Sequence, residues 1–250
     1  MMHRETLRDA RRALQLLAAA EVEYLSGHPY RLVHRYDPRA GVYSVRVDVD
    51  RPLPDELSAL VTSVLRGART ALDELANALA SLGGAANTGS AFPIHDSLPQ
   101  FAQRGRRALA AMPDEAQATI EELQPYHTFG GFRNDALWLL RELDSAGTPR
   151  LAAGAVRGDA TLGVNTSRHV DIIGPLHAMP GPFEHGAVIV SVTAKVDGPD
   201  PKLDLFFRPS FELAFANGEP ARGAPLVATL GAICDHVEHT VMARLEPLRR

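Results

Sequence analysis

Arg69 and Asp73 stand four apart in an otherwise apolar stretch, a spacing that puts both on one face of a helix. Two readings follow. The pair borders the core and ties its helix to a neighbour, or Asp73 orients Arg69 as a bidentate receptor for a carboxylate or phosphate. Gln124-Pro125-Tyr126-His127 and His95 are the next groups with chemistry to offer. Tyr126 packs in a turn and hydrogen-bonds through its hydroxyl, or Tyr126, His127 and His95 share a pocket where an imidazole acts as general base. His236 and His239 stand three apart beside Asp235 and Glu238, a spacing able to hold a metal. A zinc-protease helix needs histidines four apart with an internal Glu, however, and the apolar seam through Ile233 and Val237 turns His239 outward. A solvated pair and no metal are expected.

Other chemistries lack their residues. There is no G-x-S-x-G elbow, no Walker loop and no G-x-G-x-x-G, so neither a serine hydrolase nor a nucleotide cofactor is expected. Cys234, the single cysteine, sits beside Leu230 and Ile233 on an apolar seam and reads as an inert buried thiol. Among 250 residues, 45% are apolar and 22% charged, which are ordinary globular values that exclude wholesale disorder. A formal charge of -4 argues against a nucleic-acid-coating or membrane-adsorbing surface, so Arg104-Gly105-Arg106-Arg107 reads as solvated surface and strong nucleic-acid binding is not expected. Apolar runs such as Leu16–Ala20 fall short of the roughly 20 residues that span a bilayer. No secretion signal is expected, Asn165-Thr166-Ser167 reads as a chance sequon, and the expected location is cytoplasmic. A homodimer is left open.

Periodicity supplies the elements that must position these groups. Leu7, Ala10, Leu14, Leu17 and Leu25 mark a first helix over Glu5–Leu25, stopped by Gly27 and Pro29. Tyr30–Tyr36 and Val42–Val49 alternate as a hairpin around Asp37–Gly41. The central helix, Leu60–Leu82, steps Val61, Val64, Leu65, Ala68, Leu72, Leu75, Ala76 and Leu79 along one face, and Gly83-Gly84 end it before a loop at Ala85–Ser90. Phe92-Pro93-Ile94 reads as an extended apolar anchor. Ser97 and Asp114 are candidate N-caps for helices near Leu98–Gln103 and Glu115–Leu123, and Asn134 or Asp135 for one through Leu137, Leu140 and Leu143. Strands are expected at Val170–Ile173, Ala187–Val196, Leu203–Phe207 and Phe211–Phe215, with turns at Gly198–Pro201 and Asn217-Gly218. Leu226, Leu230, Ile233, Val237, Val241 and Leu245 close the chain with a helix. Grouped strands and helices predict α+β: long amphipathic helices packed with antiparallel sheet, as one domain over 1–250 with a helix-hairpin-helical part (1–150) and a strand-rich part (151–250).

In their order, the -PYRLV- hairpin, Arg69-Thr-Ala-Leu-Asp73, Phe92-Pro-Ile94, Leu123-Gln-Pro-Tyr126 and a Leu-rich helix ending in a polar box resemble a large, mostly bacterial family of uncharacterised proteins. That family's central helix reads HNLRSALDHL and its later box DNIDKHR. Arg69, Ala71, Leu72, Asp73 and Leu75 agree with the helix, and Asp144 and Arg150 with the box. Arg66, Gly67 and Glu74 replace the family's His, Asn and second His, and Gly147, Thr148 and Pro149 stand where Asp, Lys and His are expected. The helix is also similar to those of HEPN domains, which are helical and sometimes cleave RNA. The resemblance implies a kept scaffold with reduced polar chemistry: a non-enzymatic protein that binds a small anionic or polar ligand through Arg69, Asp73, Gln124, Tyr126, Asp144 and Arg150, between the central helix and the 132–146 helix. The alternatives are an enzyme, a HEPN-like nuclease or a repurposed biosynthetic catalyst, using His95 and His127 with Tyr126 as acid–base groups, and a structural interaction module.

Overall fold

A computed structural model describes residues 1–84, 91–155, 161–166, 170–174, 177–178, 181–196, 203–208, 211–216 and 221–249. Helix α1 (Met2–Ser26) precedes the hairpin β1 (Tyr30–Asp37) and β2 (Val42–Val49), and the long helix α2 (Asp55–Leu82) follows. Then come α3 (Leu98–Gln100), α4 (Arg106–Leu109), α5 (Asp114–Glu122) and α6 (Ala136–Ser145), with a π-turn at Phe101–Gly105 joining α3 to α4. Strands β3 (Leu151–Ala155), β4 (Thr161–Thr166), β5 (Val170–Ile172), β6 (His177–Ala178), β7 (Val188–Val196), β8 (Leu203–Arg208) and β9 (Phe211–Phe215) follow in turn. The chain closes with α7 (Leu226–His236), a π-turn at Val237–Met242 and α8 (Ala243–Leu245). The fold is α+β, and the paired strands run antiparallel. Among the described residues no helix is long and apolar enough to cross a membrane.

Two compact units divide the chain, the first from Met1–Ala18, Glu56–Pro149 and Val227–Arg250, the second from Ala19–Asp55 and Arg150–Leu226. The chain leaves the helical unit after Pro149 and returns to it at Val227, and the hairpin belongs with the strand-rich unit. Its Val45 and Val47 need the same apolar cluster as Ile189, Val190 and Val192.

In the first unit α2 is the central member, with Val61, Val64, Leu65, Ala68, Leu72, Leu75, Ala76 and Leu79 all buried. Helix α1 lies antiparallel against it: Thr6 Oγ1 donates to Glu74 Oε2 at 2.9 Å, and a Cβ on Gly67 would come within 2.8 Å of Ala10 Cβ. Glycine at 67 is therefore a packing requirement. Gly67 and Glu74, seven apart, share the face that α1 covers. Arg69 and Asp73 lie about 200–240° around the helix from Gly67, which frees them for a different neighbour.

The closing helix carries its own correction. Ile233, Val237, Val241 and Leu245 are each four apart, which in an α-helix would drift by about 40° a step. The π-turn at Val237–Met242 widens the helix where the drift accumulates, and all four side chains stay buried. Another π-turn, at Phe101–Gly105, carries the helix expected at Leu98–Gln103 on to Leu109. Ser97 makes no side-chain cap there, and Pro113 rather than Asp114 holds the N-cap of α5. Asp135 does cap α6, accepting from Leu137 N at 2.8 Å and Trp138 N at 3.2 Å.

In the second unit the sheet order is β1-β2-β7-β5, with β6 also on β7, and β3–β9 and β4–β8 form separate pairs. Strand β1 pairs with β2 from Tyr30↔Val49 to Asp37↔Val42, and Asp37 Oδ1 accepts from Arg39 N and Ala40 N in the turn. The end of α1 is capped from a distance. Arg51 donates to Tyr24 O at 2.7 Å and lies over the Tyr24 ring, and the Tyr24 hydroxyl donates to Arg51 O at 2.6 Å. Strands β3, β4 and β6 were not expected from the sequence. The loop at 85–90 and the turns at 198–201 and 217–218 lie outside the described residues.

Candidate functional site

Five residues of extended chain run through the helical unit without a strand partner. Phe92, Pro93 and Ile94 are buried, so their backbone polar groups cannot turn to water and must find partners inside the protein. Side chains from three stretches supply them. Asp73 Oδ1 accepts from Phe92 N at 2.8 Å, and Arg69 Nη2 donates to Phe92 O at 2.8 Å. Gln124 Nε2 donates to Pro93 O at 2.9 Å and to Ile120 O at 3.0 Å, while its Oε1 accepts from His95 N at 2.9 Å. Arg141 of α6 donates to Ile94 O at 3.1 Å and pairs with Asp96 at 3.2 Å.

The Arg69–Asp73 ion pair of the sequence exists, at 3.0 Å, but both partners also grip Phe92. Gln124, 1% exposed, has its amide fully engaged by backbone. These side chains do for the segment what a neighbouring strand would do. The co-occurrence of the Arg69/Asp73 helix, the Phe-Pro-Ile segment and Gln124-Pro-Tyr in one chain has this physical cause: they bond to one another. Arg141 was missed, although its neighbours Asp96 and Glu142 were visible in the sequence.

His95, Tyr126 and His127 are linked through Phe101. Ring centroids lie 6.1 Å apart for His95–Phe101, 6.2 Å for Phe101–Tyr126 and 4.4 Å for Tyr126–His127. Burial and the nearby Arg141 guanidinium lower the His95 pKa, keeping the imidazole neutral near pH 7. Burial raises that of Tyr126, whose buried hydroxyl has no hydrogen-bond partner among the described residues. His127 is exposed, and Asp144 sits half-buried near the end of α6. Phe129, just beyond His127, is fully exposed. In the last helix His236 Nε2 is buried without a hydrogen-bond partner among the described residues and burial lowers its pKa, whereas His239 is exposed. No group of three or more metal-ligating side chains occurs among the described residues. Cys234 is buried, its pKa pushed up to about 11 by burial, which leaves it an unreactive thiol.

Arg150 belongs to the second unit. There it borders a cleft of about 370 Å³ lined by Tyr30, Val49, Leu53, Leu151, Ala152, Phe183, Glu184 and His185. Phe183 and Ala152 are buried and make an apolar floor; Arg150 and Glu184, 71% and 67% exposed, form a loose ion pair at 3.5 Å on the rim. His185 Nδ1 accepts from Val49 N at 3.1 Å, which in the neutral ring puts the proton on Nε2 and makes that edge a donor. The Tyr30 hydroxyl is buried beside that of Tyr24, whose oxygen can accept from it while the Tyr24 proton goes to Arg51 O. Burial raises the Tyr30 pKa, so it stays a neutral phenol. Tyr30, Phe183, Glu184 and His185 were missed from the sequence. They come from two distant segments, and no spacing links them. The chain matches no protein-family model, no curated protein and no solved structure.

Proposed function

We propose that this protein binds a small polar or anionic molecule in the cleft of its second unit, without transforming it. The observation that carries the reading is a cleft of about 370 Å³ in which the apolar Val49, Leu53, Leu151, Ala152 and Phe183 meet the polar Arg150, Glu184 and His185. Small-molecule sites have this size and combine apolar walls with polar groups that fix orientation. Arg150, expected as a ligand residue, supports it from the rim. Arg69, Asp73 and Gln124 contribute to stability instead, since their polar atoms are committed to the 92–95 backbone.

Thermal-shift screening of small carboxylic acids, amines and phosphates tests this. Compounds that bind should raise the melting temperature of the parent chain and not of Leu53→Trp, which narrows the cleft at its rim. Equal stabilisation of both chains would place the ligand elsewhere. The catalytic alternative draws support from the partnerless Tyr126 hydroxyl beside His127. It requires turnover that falls with both Tyr126→Phe and His95→Gln; unchanged turnover in either variant removes that group from the mechanism.

A further inference from the structure

We infer that the helical unit has a binding site of its own, separate from the cleft of the second unit, for a small monocarboxylate with an apolar body. It is the groove between α1 and the closing helix, about 310 Å³ in volume. Arg4, Leu7, Arg8 and Arg11 line it from α1, and the π-turn at Val237–Met242 supplies His239 and Met242 opposite.

The charges along the groove follow from its register. Arg4, Arg8 and Arg11 step by four and three along α1, so they share one face and repel one another there. The closing helix answers at both ends. Arg4 Nε donates to Glu246 Oε1 at 2.6 Å, while Arg11 Nη2 lies 2.7 Å from Asp235 Oδ1 and 2.6 Å from Glu238 Oε2. These contacts run the two helices antiparallel, which puts Arg8 level with residues 239–242, between the two clamps. A carboxylate there would complete the ladder, but the chain has His239 and Met242 instead. Both Arg8 and His239 are exposed, and neither makes a hydrogen bond or ion pair among the described residues. A guanidinium left uncompensated between two clamped neighbours is where a bound anion relieves the repulsion.

The same charges set the class of anion. Glu238 also lines the groove, and its carboxylate, though engaged by Arg11, opposes a dianion such as a phosphate monoester. One free guanidinium matches one carboxylate, which it binds through two parallel N–H donors. His239 adds a third donor from whichever ring nitrogen its tautomer protonates. Leu7 and Met242, both buried, form an uncharged floor for the apolar body.

Calorimetric titration of the full chain with benzoate, benzamide and phenyl phosphate tests this, since the three share a phenyl ring and differ in head group. Benzoate should bind at least about tenfold more tightly than either of the others, the scale of one charge-assisted hydrogen bond. Arg8→Gln should remove that advantage and, at an exposed position, leave melting unchanged. Arg8→Lys should restore only part of it, because an ammonium lacks the planar fork. Arg12→Gln, one turn further along α1 and paired with Asp9 in the parent, should bind benzoate as the parent does. So should Leu53→Trp, which separates this groove from the cleft of the second unit. Benzamide binding as tightly as benzoate, or phenyl phosphate binding more tightly, overturns the monocarboxylate assignment. Benzoate affinity that survives Arg8→Gln, or that is lost in Leu53→Trp, places the ligand elsewhere and overturns the site. Absence of benzoate binding at millimolar concentration overturns the inference outright and leaves the cleft reading to its own screen.

Discussion

Arginine and carboxylate meet in two places in this protein, and they do different work. In the helical unit Arg69 and Asp73 lie 3.0 Å apart and share the backbone of Phe92, part-buried and bonded on several sides. In the strand-rich unit Arg150 and Glu184 lie 3.5 Å apart on an exposed rim above an apolar floor. The first arrangement satisfies the protein's own buried peptide groups, so little of it is left to recognise anything else. The second is solvated and borders a space the size of a small molecule. A polar signature in a helix is therefore weak evidence for a ligand site until the destination of its hydrogen bonds is known.

The sharpest way to break this contrast is Gln124→Leu. It strips partners from Pro93 O, Ile120 O and His95 N in a site 1% exposed, and should destabilise the chain by roughly 3 kcal/mol or more in denaturant unfolding. A loss below about 1 kcal/mol would mean that water reaches the segment and the clamp is dispensable. Asp73→Ala leaves Phe92 N without its acceptor and Arg69 without its counter-charge. About 2 kcal/mol is expected, with faster hydrogen exchange at the Phe92 amide, while any cleft ligand keeps its affinity.

A smaller effect, of about 1 kcal/mol at neutral pH, is expected from Glu246→Gln. The hydrogen bond from Arg4 holds the Glu246 carboxyl below the usual carboxylate range, opposed by burial and helped by His3. Its folded pKa is depressed, so its stabilisation is full above the unfolded value near 4.3 and is lost as pH falls through the lower folded value. Melting temperatures followed from pH 7 to pH 3 should decline less steeply in the variant than in the parent. Smallest of all, Arg150→Ala should change stability by no more than about 0.5 kcal/mol while weakening any cleft ligand. Substantial destabilisation there would make the rim pair structural and erase the difference between the two regions.

Much of the helical scaffold was legible because burial imposes period on sequence. Val61 through Leu79 and Leu226 through Leu245 repeat at helical spacing, and every one of those apolar positions is buried. The hairpin was legible to within a residue of its ends because alternation and the Asp37 turn are local signals. Strands β3 and β4 were not, since Ala152, Gly154 and Gly163 have neither the bulk nor the alternation that marks a strand. At the site, Arg69, Asp73 and Gln124 could be picked out as special but not assigned a role, because their partners are main-chain groups 19 to 31 residues away and carry no side-chain signature. The cleft was illegible for a related reason: it assembles Tyr30, Val49, Leu53, Arg150 and Phe183 through sheet pairing and loop returns, and none of those positions looks unusual alone.

The first unit draws on residues near both ends of the sequence. Arg4 and His3 meet Glu246, and Arg11 meets Asp235 and Glu238, so the first helix and the last lie side by side. On a ribosome this has an ordering effect. The hairpin can form early from local contacts, but α1 has only part of its packing surface until residues 226–245 have left the exit tunnel. Leu7, which lies beside His239 and Met242, therefore stays exposed until those residues are made, and a chaperone that holds the nascent chain has a target on that side of α1.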